Sequence, residues 1–208
     1  MILSRRALLA MAPALLMPAS LRAAAALPAT PRATDGPFYP TVMPRDQDSD
    51  LVRIEGAVRE AGGDILHLDG VLLDQNARAI AGARVEIWQC DVNGVYLHPG
   101  SGRRESLDRN FQGFGHALTD ASGRFSFRTI VPVPYTGRTP HIHAKVLRDG
   151  REALTTQLYR AGFPQNASDF LYRRLSPSER ERVSMTLKPR AGASRPAFET
   201  SVRIVLSG

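Results

Sequence analysis

The sequence predicts an all-β fold, a β-sandwich or barrel that carries only short helical segments. Short runs of β-branched and apolar residues recur along the chain, and turn signals built on Gly, Asp and Asn separate them. Helix signals are confined to two short stretches near residues 168–183.

In chain order, a Pro-rich opening from Leu27 to Pro44 gives way to expected strands at Leu51 to Val58, Ile65 to Leu73 and Arg84 to Cys90. Further strands are expected at Gly123 to Ile130, His141 to Leu147, Leu154 to Tyr159 and Phe198 to Leu206. Gly62-Gly63, Asp91-Val92-Asn93-Gly94, Asp120-Ala121-Ser122-Gly123 and Asp149-Gly150 mark the turns. Ser176-Pro177-Ser178-Glu179 has the form of a capping box with proline at the first helical position, and opens a short helix through about Val183. A second helical turn is expected at Ser168 to Arg174.

The N-terminus reads as an address. Arg5 and Arg6 precede an apolar stretch from Ala7 to Pro18, and the small residues Ala23 to Ala26 follow. That is the pattern of a twin-arginine signal peptide over residues 1–26, ahead of one domain over 27–208, and it predicts export to the periplasm. The apolar stretch is too short to span a bilayer and contains Pro13 and Pro18, so no membrane span is expected after its removal. Twin-arginine export carries folded proteins, which suits a metal inserted before export.

The 208 residues carry a formal charge of +7, of which Arg5, Arg6 and Arg22 supply three; removing the leader leaves +4. Basic residues elsewhere are scattered, without the aromatic-interleaved tract of a single-strand binder, so nucleic acid is not an expected partner. The lone cysteine, Cys90, has no internal disulfide partner and reads as a buried small residue.

Chemistry gathers around histidine and tyrosine. His141-Ile142-His143 puts two imidazoles at i and i+2, which in a strand leave the same face and can reach one metal. Alone, this pair is ambiguous between a metal site and packing or surface residues. Ala144 to Arg148 holds no acid, so a two-His-one-carboxylate ferrous site is poorly supported. The nearby donors are phenols, Tyr135 six residues upstream and Tyr96 after a turn. Two phenolates with two imidazoles favour a trivalent ion, Fe(III), whereas the ordinary role of a tyrosine is a packed ring with a hydrogen-bonded hydroxyl.

A set of ordered motifs then resembles one family. Asp35-Gly36-Pro37-Phe38-Tyr39, Asp48-Ser49-Asp50-Leu51 and Leu68-Asp69-Gly70-Val71-Leu72 come first. Val85-Glu86-Ile87, Gly94-Val95-Tyr96, Leu118-Thr119-Asp120 and Phe125-Ser126-Phe127-Arg128-Thr129-Ile130 follow. Pro134-Tyr135, Arg138, His141-Ile142-His143 and Thr156-Gln157-Leu158-Tyr159 complete the series. The chain resembles the intradiol ring-cleavage dioxygenases, the family of protocatechuate 3,4-dioxygenase and the catechol 1,2-dioxygenases, over most of its length.

That resemblance implies a two-sheet β-sandwich in which Tyr96, Tyr135, His141 and His143 hold a non-haem Fe(III), with water or hydroxide as a fifth ligand. It implies that Tyr135 leaves the iron when substrate chelates, that Arg138 stabilises charge on the activated ring, and that Gln157 helps to hold Arg138. The implied substrates are a small aromatic diol and O2, with both oxygen atoms entering a muconate-type diacid. Tyr39, Trp88 and Tyr159 are pocket or packing candidates, while His67, His98 and His116 read as structural or surface residues. Only Thr136 and Gly137 separate Tyr135 from Arg138, a shorter interval than in protocatechuate enzymes, which leaves the pocket mouth less restricted. The long helical dimerisation segment of catechol 1,2-dioxygenases is missing from the sequence, and homo-oligomerisation stays open. Two rival classes are a sandwich module without catalysis and a cupin-like metalloenzyme using only His141 and His143.

Overall fold

The computed structural model describes residues 25–208, so the expected leader lies outside the described residues except for its last two. Nine strands form two sheets: β1 (Ile65–Asp74), β2 (Arg84–Trp88), β3 (Phe114–Leu118), β4 (Arg124–Ile130), β5 (His141–Arg148), β6 (Arg151–Arg160), β7 (Ser184–Met185), β8 (Lys188–Pro189) and β9 (Ala197–Leu206). One sheet has the order β4-β1-β9-β8 and the other β3-β2-β5-β6-β7. Both are mixed, since β1 pairs β9 in parallel and β6 pairs β7 in parallel while the other pairings are antiparallel. This is the predicted β-sandwich.

The alternation of side chains explains both the core and the site. In β5, Ile142, Ala144 and Val146 turn inward and pack with Val85 and Ile87 of β2 against Leu66, Leu68 and Leu72 of β1 and Phe127 of β4. Each such leucine or isoleucine, fully removed from water, contributes about 1.5 to 3 kcal/mol. The alternate residues His141, His143 and Lys145 leave the opposite face, yet they too are buried. The N-terminal segment covers them. Ala33 donates its backbone N–H to Thr155, and Gln157 and Thr156 donate to the carbonyls of Thr34 and Pro31. An outer face of the sheet is thereby converted into a second interior.

Turn chemistry matches the sequence closely. Asp149 and Gly150, at φ 51° and 72°, join β5 and β6 in the left-handed geometry that two-residue hairpins favour. The helix α1 (Pro177–Arg182) begins at Ser176, whose side chain accepts from the Glu179 N–H while Glu179 accepts from the Ser176 N–H. Of the helical turn expected at Ser168 to Arg174, only Tyr172–Arg174 is helical, as a 3-10 turn, and a second 3-10 turn, Pro164–Ala167, precedes it.

One expected strand is absent. Leu51 to Val58 is irregular, because the Asp48 and Asp50 carboxylates take the N–H groups of Asp50 and Val52, bonds a strand ladder would have needed. Leu51 and Val52 are fully buried all the same. Strand β3 was not expected: Gly115 and Ala117 weaken its propensity, and its pairing with β2 creates it. Gly115 packs so closely on the Asp48 carbonyl and Leu51 that a side chain has no room. Among the described residues no helix is long and apolar enough to cross a membrane.

Candidate active site

Strand β5 positions the two imidazoles. His141 and His143 are each about 1% exposed, and their Nε2 atoms lie 3.2 Å apart. The Nδ1 of His141 meets the Thr139 carbonyl at 2.7 Å, which fixes the proton on Nδ1 and leaves the Nε2 lone pair free. The ring of His143 stacks on Trp88 at 4.7 Å between centroids. From the other side Gly36, at φ 71°, brings its backbone so close that a Cβ there would lie 3.2 Å from His143 Cε1. Burial lowers the pKa of both histidines, with the Arg138 charge adding to it; His141 falls to about 4. Both are therefore neutral at pH 7 and able to donate a lone pair.

The two phenols close the cluster. Tyr96 follows the turn in which Asp91 accepts the N–H groups of Asn93 and Val95, and its own N–H donates to Ser101 Oγ. Its ring meets Tyr135 edge-on at 5.1 Å and His143 at 6.1 Å, while the Tyr135 ring lies 5.5 Å from His141. Tyr96 is buried and its hydroxyl makes no hydrogen bond of good geometry among the described residues, although it and the Tyr135 hydroxyl are near enough to influence each other's ionisation, whereas Tyr135 is half-buried and lines a cleft. Burial raises the pKa of both phenols, against the pull of Arg138. A buried hydroxyl without a protein partner is costly, and among these donors it leaves the Tyr96 oxygen available to a metal ion.

Arg138 is held on three sides. Its Nε donates to Asp169 Oδ2 at 2.7 Å, its Nη2 to Gln157 Oε1 at 2.6 Å, and its Nη1 approaches the Tyr135 hydroxyl at 3.4 Å. Gln157 Oε1 also accepts from Tyr159. Asp169, fully buried, accepts from Thr139, Leu171 and Tyr172 as well. The sequence reading missed Asp169. A buried guanidinium requires a carboxylate, but nothing in the sequence indicates which acid would supply it.

A cleft of about 450 Å³ opens over this cluster, lined by Phe38, Tyr96, Arg103, Tyr135, Arg138 and Phe170 among others. Phe38 stacks on Tyr96 at 4.6 Å, and the half-exposed Phe170 ring lies 5.3 Å from the Arg138 guanidinium. Phe38, Arg103 and Phe170 were not singled out as site residues by the sequence. Among the described residues no group of three His, Cys, Asp or Glu side chains is placed to hold a metal ion, so this donor set is phenol and imidazole without carboxylate.

The remaining candidates make contacts outside the donor set. Tyr39 donates to the buried Glu86 and its ring receives the Lys145 ammonium at 3.9 Å. His98 accepts from the Gly100 N–H and sets its ring edge on Phe38, while His67 and His116 lie on β1 and β3 away from the cluster. Cys90 is buried, and burial pushes its thiol up to about 12, which disfavours the reactive thiolate.

Comparison with known proteins decides the kinship. A family model described as "Dioxygenase" matches residues 34–208. The chain belongs to the intradiol ring-cleavage dioxygenase family. Among curated members of that family, it is 32% identical to the protocatechuate 3,4-dioxygenase beta chain of Burkholderia cepacia, over 65% of this chain and 61% of that one. It is 29% identical to a catechol 1,2-dioxygenase of Acinetobacter baylyi, over 69% and 50%. The chain thus spans between half and two thirds of these two relatives. Among solved structures, the dioxygenase domain of a dioxygenase carbohydrate-binding protein fusion from Streptomyces sp. SirexAA-E superposes with TM-score 0.67 and 32% identity, covering 86% of this chain and 99% of that one. A 3-chlorocatechol 1,2-dioxygenase from Rhodococcus opacus 1CP gives TM-score 0.66 and 27% identity, covering 85% and 72%.

Proposed function

We propose that this chain is a non-haem Fe(III) dioxygenase that opens a catechol-type ring between its two hydroxylated carbons and places both atoms of O2 in a muconate-type diacid. The observation that carries the reading is the convergence of Tyr96, Tyr135, His141 and His143 beneath one cleft, with the Tyr96 hydroxyl buried and without a hydrogen-bond partner among the described residues.

These four side chains fit a ferric ion. Two neutral imidazoles supply nitrogen donors, and two phenols supply oxygen donors whose raised pKa values call for a strongly polarising cation to remove the proton. Bound there, the metal would act as Lewis acid and template for the diol. The protein's own residues divide the other tasks. Tyr96, buried under Phe38, is suited to remain fixed, while the less buried Tyr135, deprotonated by the metal that it would ligate, could as a phenolate take a diol proton on its phenolic oxygen. Arg138 is held by Asp169 and Gln157 with Nη1 toward the Tyr135 hydroxyl, so its charge is aligned before negative charge builds on the ring. Phe38 and Phe170 offer apolar walls for an aromatic ring.

The intact Arg138 network argues against a sandwich that has lost catalysis, and the phenols against a cupin-like site. Export of the folded protein through the twin-arginine route is part of the same proposal, on the strength of Arg5 and Arg6. The deciding test is iron content with a visible spectrum, followed by catechol turnover under labelled oxygen. A red ferric-tyrosinate band and a colourless cis,cis-muconate carrying two labels are expected. A colourless iron-reconstituted protein, or a yellow semialdehyde product, overturns the reading.

A further inference from the structure

The charge on the cleft wall is uneven. Arg138 is neutralised by Asp169, whereas Arg103 on the rim makes no ion pair among the described residues. No aspartate or glutamate lines the cleft. Arg103 is also fixed in place. It adopts φ 53° and ψ 41°, a left-handed conformation that is uncommon for a residue with a side chain, just ahead of the 3-10 turn Arg104–Ser106. Its Nη2 donates to the Asn93 carbonyl at 3.0 Å. That guanidinium passes over Gly94, where a Cβ would lie 3.5 Å from Nη2 and 3.0 Å from the Pro134 carbonyl. The side chain is thus anchored at one nitrogen, next to the backbone that leads into Tyr135, and it keeps further donors free of protein partners.

An unneutralised guanidinium at the rim of an aromatic-walled cleft is suited to a ligand that is aromatic at one end and anionic at the other. We propose that Arg103 is a specificity-determining residue, which pairs with a carboxylate carried on the ring of the diol and selects aromatic acid diols over neutral ones. This rests on the diol reading above and adds a substrate class to it. The short Thr136-Gly137 interval and the exposed rim position of Arg103 leave space for such a substituent to reach the guanidinium.

The test compares matched ligands on the iron-loaded protein. Dissociation constants are measured by calorimetry for 3,4-dihydroxybenzoate and for its neutral isostere 3,4-dihydroxybenzamide, with the wild-type protein, Arg103→Gln and Arg103→Lys. Because the pair would be partly hydrated, a preference for the acid of about tenfold is expected in the wild type, the lower end for a hydrogen bond between charged groups. Arg103→Gln should abolish it, and Arg103→Lys should retain part of it with a steeper loss in salt. Taking the ratio within each variant cancels any general effect on folding or iron loading. Equal affinities in the wild type, or a preference that survives in Arg103→Gln, overturn the proposal. Product analysis separates the two readings: an acid bound selectively through Arg103 but left uncut defeats ring cleavage alone, and cleavage without charge preference defeats the role of Arg103 alone.

Discussion

Arg138 and Asp169, 31 residues apart, form a buried ion pair at 2.7 Å in which the carboxylate is wholly removed from solvent. Asp169 anchors the loop through the N–H groups of Leu171 and Tyr172 with one oxygen, and aims the guanidinium with the other. The pair therefore links the geometry of the cleft to the stability of the domain. Removing one partner of a buried pair leaves an uncompensated charge, at a cost of about 3 kcal/mol. Asp169→Asn should lower stability by that order in urea denaturation and reduce turnover while iron binding persists. Wild-type turnover in that variant would contradict the aiming role.

The same carboxylate gives a pH signature. Burial alone would raise its pKa, but the N–H groups of Tyr172 and Thr139 and the Arg138 guanidinium outweigh burial and hold it below the ordinary value. A depressed folded value means that the stabilisation is complete above the unfolded pKa, near 3.9, and is lost as pH falls through the folded one. Denaturation at a series of acid pH values should show a shallower acid limb in Asp169→Asn than in the wild type. Parallel limbs would remove Asp169 from the linkage.

Tyr96→Phe separates folding from metal binding. The hydroxyl it deletes has no hydrogen-bond partner among the described residues, so the metal-free variant should be at least as stable as the wild type, with a gain of up to about 1 kcal/mol. Its ferric colour should be lost. A destabilised apo-protein would show that the hydroxyl has a partner in solution.

Gly36→Ala tests the N-terminal strap. A side chain at this left-handed position costs about 1 kcal/mol in strain and pushes on His143 Cε1. A drop in melting temperature of about 2 to 4 °C is expected, together with weaker iron retention against a chelator. Unchanged iron retention would mean that His143 is held by Trp88 alone.

Changing Arg5 and Arg6 together to Lys should leave uncleaved, iron-loaded protein in the cytoplasm, read by fractionation and blotting. Processed protein outside the inner membrane would reject the twin-arginine route.

The strands that hold the site were legible because β1, β4, β5, β6 and β9 each carry apolar runs bounded by clear turns. The four donors were legible as residue types, and their convergence needed the register that sets β5 beside β2 and β6. What escaped was decided by distant partners. Leu51 and Val52 read as strand, but the Asp48 and Asp50 carboxylates took the N–H groups of Asp50 and Val52; Phe114 to Leu118 did not, and β2 recruited it. Asp169, Arg103 and Phe170 lie in irregular segments where no period marks an inward-facing side chain.

Strand β9 lies between β1 and β8, in parallel register with β1 from Ile65 to Asp74. The first sheet is therefore completed from its middle by residues 197–206. A nascent chain can form the hairpin of β5 and β6, but β1 has no neighbour on its second edge until residue 206 has cleared the ribosome. The first sheet therefore waits for a strand made long after β1, and loss of β9 would part β8 from β1, where loss of an edge strand would only trim the sheet.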